Sequence, residues 1–188
     1  MKTLRFLLML AVALVLMLLF RAVGITVCTI GGNDLTPTFI AGDRVLVNRW
    51  SYGLRVGGGE SGLFSYGRLL RQPVERGDLV AFEHPQTGEI IVCRCTGLPG
   101  DTLEVNGETI VVPSLKNCAD ADYYWMGDVN EYNGKRLSRA KDNPINSQLL
   151  GFISEEYIIG RVFVIAYSHD PEAPLWEGWR TDRFFSSL

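Results

Sequence analysis

Fifteen consecutive apolar residues, FLLMLAVALVLMLLF at positions 6 to 20, follow a start that carries Lys2 and Arg5. Arg21 interrupts the run, and AVGITVCTI extends it to Ile30. A helix rises about 1.5 Å per residue, so the clean run alone falls a little short of a hydrocarbon core of about 30 Å. With the following residues included and Arg21 reaching back to the headgroups along its aliphatic stem, the pattern predicts a transmembrane anchor over residues 6–26. Residues 1–5 then form a cytoplasmic N-terminus, and 27–188 form one exported domain. A cleaved signal peptide has the same basic start, but this run is at the long end for one and no small-x-small cleavage site follows it. Basic residues ahead of the span place the N-terminus inside. The expectation is a single-pass protein of the cytoplasmic (inner) membrane with its folded domain outside.

Past the anchor the period shortens from helical to alternating. DRVLVNRW (43–50) alternates and is rich in β-branched residues, and GDLVAFEHP (77–85) is a second such run. Gln86-Thr87-Gly88 is a turn before EIIVCRCTGL, so residues 78–96 predict a hairpin. Asn106-Gly107 divides DTLEVNGETIVV (101–112) into a second hairpin of the two-residue-turn kind. DYYWMGD (122–128) and YIIGRVFVIAYS (157–168) supply further strands, and Ser154-Glu155-Glu156 one short helical turn. The stretch from Gly57 to about Pro73 and the polar stretch 130–148 read as loops. No repeat and no amphipathic helix is visible after the anchor. The expected fold is therefore mostly β: one antiparallel β domain carried by one N-terminal helix.

Composition changes little in that picture. The chain is 47% apolar and 21% charged, with a net charge of −3, which argues against a nucleic-acid partner. Cysteines number four: Cys28, Cys93, Cys95 and Cys118. In an exported domain, a disulfide from Cys118 to Cys93 or Cys95 and two core thiols are both open readings.

Several blocks, taken in order, resemble the type I signal (leader) peptidases, membrane-anchored serine-lysine proteases that clip signal peptides from exported proteins. They are Thr36-Pro37-Thr38 with Gly42-Asp43-Arg44-Val45-Leu46-Val47; Ser51-Tyr52-Gly53; Arg76-Gly77-Asp78-Leu79-Val80-Ala81-Phe82; Cys93-Arg94-Cys95-Thr96-Gly97-Leu98-Pro99-Gly100-Asp101; and Tyr124-Trp125-Met126-Gly127-Asp128 with Gly151-Phe152-Ile153. The resemblance covers nearly the whole chain. It implies a signal-peptidase-like β domain, a lipid bilayer as one partner, and exported or membrane-bound polypeptides as the others. An active relative of the same family is a further partner it allows.

The resemblance breaks where the chemistry should be. Serine attack on an amide needs a base for the hydroxyl proton, which in a Ser-Lys pair is a neutral, desolvated amine. Counting back from Pro37-Thr38, the family's nucleophile falls on Asp34. Counting back from the Gly-Leu-Pro-Gly-Asp block, its lysine falls on Cys93. The oxyanion hydroxyl of many bacterial members, two residues before the nucleophile, falls on Gly32. Val129-Asn130-Glu131-Tyr132-Asn133 stands where Asn-Arg-Asp-Asn-Ser is usual, and Asn146-Ser147-Gln148 where Asp-Ser-Arg is usual. The amides of Asn146 and Gln148 could bond each other, as compensation for a lost ion pair or as drift in a loop. A carboxylate at 34 would repel a developing oxyanion, so the catalytic set is not intact. Leu35, Pro37, Thr38 and Arg94 are left as candidates for lining the substrate groove, with Arg94 and Asp128 expected to pair as structural support.

Other chemistries are weaker. A cysteine protease needs a histidine near the thiol, and His84 falls at the far turn of the hairpin that holds Cys93. Asp34, Cys93 and Cys95 make too small a ligand set for zinc, so neither metal nor cofactor is expected. Trp50, Tyr52, Trp176, Trp179, Phe184 and Phe185 are expected to be core for at least half, the rest suiting a bilayer interface. Three functions stay open: a non-catalytic member that binds polypeptide segments, an active signal peptidase with an unconventional site, and an exported structural β domain.

Overall fold

In a computed structural model, residues 2–32, 35–56, 66–105, 107–117, 119–132, 135–136 and 147–188 are described. The chain opens with helix α1 (Lys2–Val23) and passes through Gly24 into strand β1 (Ile25–Thr29). Strands β2 (Asp43–Asn48), β3 (Leu54–Val56), β4 (Gly67–Leu69), β5 (Leu79–Glu83), β6 (Ile90–Gly97), β7 (Thr102–Val105), β8 (Glu108–Val111) and β9 (Tyr123–Gly127) follow. After them come β10 (Glu131–Tyr132), β11 (Lys135–Arg136), a single helical turn α2 (Ser147–Leu150), β12 (Ile153–Ser154), the long β13 (Ile158–Ser168) and β14 (Ser186–Ser187).

The domain is mostly antiparallel β, as its alternation predicts. Its main sheet runs β1-β2-β13-β5-β6-β9-β12, with β14 added to β13, and three small hairpins flank it. Alternating side chains of the central strands feed two cores. Leu79, Ala81 and Val92 join Val45, Val47, Phe39, Val129 and Ile165 in one. Val80, Phe82, Cys93 and Cys95 join Tyr52, Met126 and Ile158 in the other. Period-2 geometry produces this division, because neighbouring residues of a strand point to opposite faces. Gly160 marks where β13 passes close to its neighbour: a Cβ there would lie 2.2 Å from the Asn48 carbonyl oxygen.

The structure corrects four expectations, one of them the stretch 130–148, expected as loop, which holds the antiparallel β10–β11 pair and the start of α2. Ile25 and Thr26, counted within the anchor by hydropathy, belong to β1 and pair with Asn48 and Val47. Their β-branched side chains suit a strand edge, and only Gly24 separates helix from sheet. The excursion expected up to Pro73 contains β4, paired with β3, a ladder too short to show as alternation. Of the six aromatics expected to be core for at least half, only Tyr52 is buried. Trp176 and Phe185 are 91% and 75% exposed. The apolar side chains described in α1, Phe6 to Met17, are exposed as well. Among the described residues no helix is long and apolar enough to cross a membrane.

Candidate functional site

The centre of the sheet positions the candidate residues. Cys93 stands on β6 opposite Val80 of β5, fully buried among the second core. Burial, reinforced by the negative charge of Asp128, pushes its thiol up to about 12. The desolvated site disfavours the thiolate, so at neutral pH the group is a protonated thiol, a weak base and a weak nucleophile. Cys95, two residues on and facing the same core, is likewise pushed up to about 12, by burial first and by Asp78 next. Neither cysteine is in a disulfide, and Cys118, the partner weighed from sequence, lies outside the described residues.

Arg94 points to the opposite face of β6. Its Nε and Nη2 donate to the Val129 carbonyl at 3.1 and 3.0 Å, and its Nη1 donates to the Gly77 carbonyl at 2.7 Å. The guanidinium thus ties the start of the β5–β6 hairpin to the chain just beyond β9. Asp128 closes the turn there, its Oδ1 accepting from the Asn130 amide at 2.9 Å.

The loop 35–38 approaches this turn from the other side. Leu35 is half-buried against the first core, and the Phe39 amide donates back to its carbonyl at 3.0 Å. Pro37 and Gly32 are exposed, and Thr38 is half-buried. Asn130, 1% exposed, grips the loop at two points: its Oδ1 accepts from the Thr38 amide at 3.3 Å, and its Nδ2 donates to the Thr36 carbonyl at 3.0 Å. A carboxamide is the side chain that can do both at once, with an acceptor and a donor on one rigid plane.

Leu35, Pro37, Thr38, Arg94 and Asp128 therefore converge around Val129–Asn130, with Cys93 buried on the opposite face of the same strand. Asp34 lies outside the described residues, as do Asn133 and Asn146. Ser147 is buried and accepts the Met126 amide at 2.7 Å, whereas Gln148 is exposed. His84 is a turn residue: its Nδ1 accepts from the amides of Gln86 and Thr87 at 3.0 and 3.2 Å. It follows Val80, the neighbour of Cys93, by four strand positions, roughly 13 Å along the chain. That separation rules out a Cys93–His84 couple.

Asn130 is the residue that sequence reasoning passed over. Its only signal was its place in the degenerate stretch after Gly127-Asp128; nothing local distinguishes a buried clamp from an exposed turn asparagine.

A β domain built from short antiparallel hairpins, entered from a hydrophobic helix and carrying its candidate site at the loop before β2 and along β6, is the arrangement seen here. The family model described as signal peptidase, peptidase S26, matches residues 3–138, and the chain belongs to that family. Similar proteins include signal peptidase I of Pseudomonas aeruginosa, 24% identical over 198 residues, covering 81% of this chain and 68% of the relative. Signal peptidase IB of Staphylococcus aureus is 26% identical over 185 residues, covering 86% of this chain and 87% of the relative. Signal peptidase I of Leptolyngbya laminosa is 26% identical over 149 residues, covering 72% of this chain and 65% of its own.

Proposed function

We propose that this chain is a non-catalytic member of the signal peptidase family that binds exported or membrane-bound polypeptide segments in the groove its relatives use for cleavage. The reading rests on position 93. The family's general base is an amine, and the motif places Cys93 in its seat. There it is a buried thiol held protonated. At the other seat, Asp34 offers a carboxylate in place of a hydroxyl, and Gly32 brings no oxyanion donor. Loss of one half of such a pair removes orders of magnitude of rate, and here both halves differ.

What supports a retained binding surface is that the loop is held without any catalytic group. Asn130 fixes Thr36 and Thr38, and Arg94 fixes the turn that carries Asn130. Leu35, Pro37 and Thr38 form the near wall of the groove in this reading. Membrane attachment belongs to the same proposal and rests on the sequence: the apolar run 6–20 behind Lys2 and Arg5 anchors the chain by a single span, with its N-terminus inside and its β domain outside, although the described part of α1 is not by itself long and apolar enough to cross. The exposed apolar side chains of α1, together with Leu175, Trp176 and Phe185, favour a lipid surface.

Capture tests it. The full chain, reconstituted in lipid nanodiscs with a photoreactive residue replacing Pro37, is mixed with a preprotein and, separately, with its mature form. Cross-linking to the signal-bearing form supports the reading, and no cross-link to either removes it. Cleavage abolished by Asp34→Ala or Cys93→Ala would instead establish an active peptidase with an unconventional site.

A further inference from the structure

Beyond β13 the chain turns back on itself. An isolated bridge pairs His169 with Trp179, and the Trp179 ring packs edge-on to that of His169 with centroids 4.9 Å apart. This return delivers two arginines to the segment that follows the 35–38 loop. Arg180 Nη1 donates to the Ala41 carbonyl at 2.8 Å and to Ser168 Oγ at 3.2 Å, and Nη2 lies 3.3 Å from Asp170. Arg183 reaches further in. Its Nε and Nη2 meet the two carboxylate oxygens of Asp43 at 3.2 and 2.6 Å, and Nη2 also donates to the Thr38 carbonyl at 2.8 Å.

Asp43 is fully buried, and the same carboxylate accepts the Ile40 amide at 3.0 Å. A buried carboxylate is tolerated when it is paired and hydrogen-bonded, and a guanidinium satisfies both of its oxygens in one plane. Among the described residues Arg183 is its ion-pair partner. Thr38 is thereby held on both sides of its Cα: its amide by Asn130 from the β9 side, its carbonyl by Arg183 from the C-terminal segment. Ile40 is held through Asp43. The two clamps come from parts of the chain 92 and 145 residues away from Thr38.

We propose that Arg183 is a positioning residue for residues 36–40, so that the C-terminal segment sets the shape of the groove's near wall. The link to polypeptide binding rests on the function proposed above; the positioning itself does not. Loss of the guanidinium frees the Thr38 carbonyl and strands the Asp43 carboxylate, which loosens Thr38 and Ile40 while leaving the central sheet intact.

Amide hydrogen exchange by mass spectrometry on the full chain in nanodiscs tests this. In Arg183→Gln, exchange at Thr38 to Ile40 rises at least tenfold while the amides of β5 and β6 keep their wild-type rates. Arg183→Lys, which keeps the charge but offers a single point of contact, falls between the two. The double variant Asp43→Asn with Arg183→Gln removes the stranded charge, guards against simple misfolding, and still loosens Thr38. Wild-type exchange in the loop of both glutamine variants overturns the proposal, as does a rise shared equally with β5 and β6. Preprotein cross-linking through position 37 falls in parallel with loop protection. Faster exchange with no cross-linking even in the wild-type background would leave the positioning standing and sink the binding function.

Discussion

Raising the pH should act on Cys93 in a way that can be worked out in advance. Its ordinary thiol value is 9.0, and burial holds it near 12 in the folded chain. At pH 8 an unfolded chain then carries roughly a tenth of this thiol as thiolate and the folded chain roughly one part in ten thousand, a difference of about 10³. Iodoacetamide reacts with thiolate and needs room beside the sulfur. Native Cys93, with no exposed surface, should therefore be alkylated at least ~10³-fold more slowly than in urea at the same pH. The same shift has a thermodynamic counterpart. The folded pKa lies above the unfolded one, so the unfolded chain gives up its proton first. The stabilising contribution is complete below pH 9 and is lost as the pH rises towards 12, by up to ~1.4 kcal/mol per pH unit for this one thiol. Tyr124 and Cys95 are also raised to about 12 and add slope of their own, so the informative quantity is the difference between wild type and Cys93→Ala. Urea denaturation from pH 8 to 10.5, with alkylation mapped by peptide mass spectrometry, measures both. Alkylation of native Cys93 within tenfold of its rate in urea would refute the reasoning, and so would identical pH slopes for wild type and Cys93→Ala. Either result would mean an accessible, ionisable thiol fit to act as a nucleophile.

Other perturbations follow from the same contacts. Asn130→Ala removes both grips on the 36–38 loop and should lower the unfolding free energy by about 1–3 kcal/mol, read by urea titration, with faster amide exchange at Thr38. Gly160→Ala forces a methyl group to within 2.2 Å of the Asn48 carbonyl where β13 and β2 meet, and should cost about 1–3 kcal/mol in the same titration. Trp176→Ser, at a side chain 91% exposed, should leave the unfolding free energy within ~0.5 kcal/mol. The same variant should weaken partitioning onto lipid vesicles measured by flotation.

Much of this architecture is legible in the sequence because the central strands are apolar runs bounded by turn residues. Val80 and Phe82 face one core and Leu79 and Ala81 the other, and β2, β5, β6, β9 and β13 all stand out in the sequence as aliphatic or aromatic runs between turn residues. The elements that escaped are short or at edges. β3 and β4 span three residues each, too few for alternation to exceed chance. β1 is continuous in hydropathy with α1, so hydrophobicity alone could not find the break at Gly24. For the candidate site, what the sequence makes legible is which residues lie near one another in the fold. Motif spacing brought together Leu35, Thr38, Arg94 and Asp128 because short loops and ladder register preserve such spacing. The Asn130 clamp and the Arg183 contact with Asp43 were invisible, since each joins residues far apart in the chain through side chains that look like ordinary surface polar groups. The exposed C-terminal aromatics run against the usual rule that large apolar side chains are buried.

The most direct measurement incubates the full chain in lipid nanodiscs with a signal-bearing preprotein and follows the intact mass of both over many hours. The account predicts that the preprotein is retained on the nanodiscs at its full mass, with no covalent adduct on this chain. Release of the signal segment, at a rate that Cys93→Ala or Asp34→Ala abolishes, would contradict it.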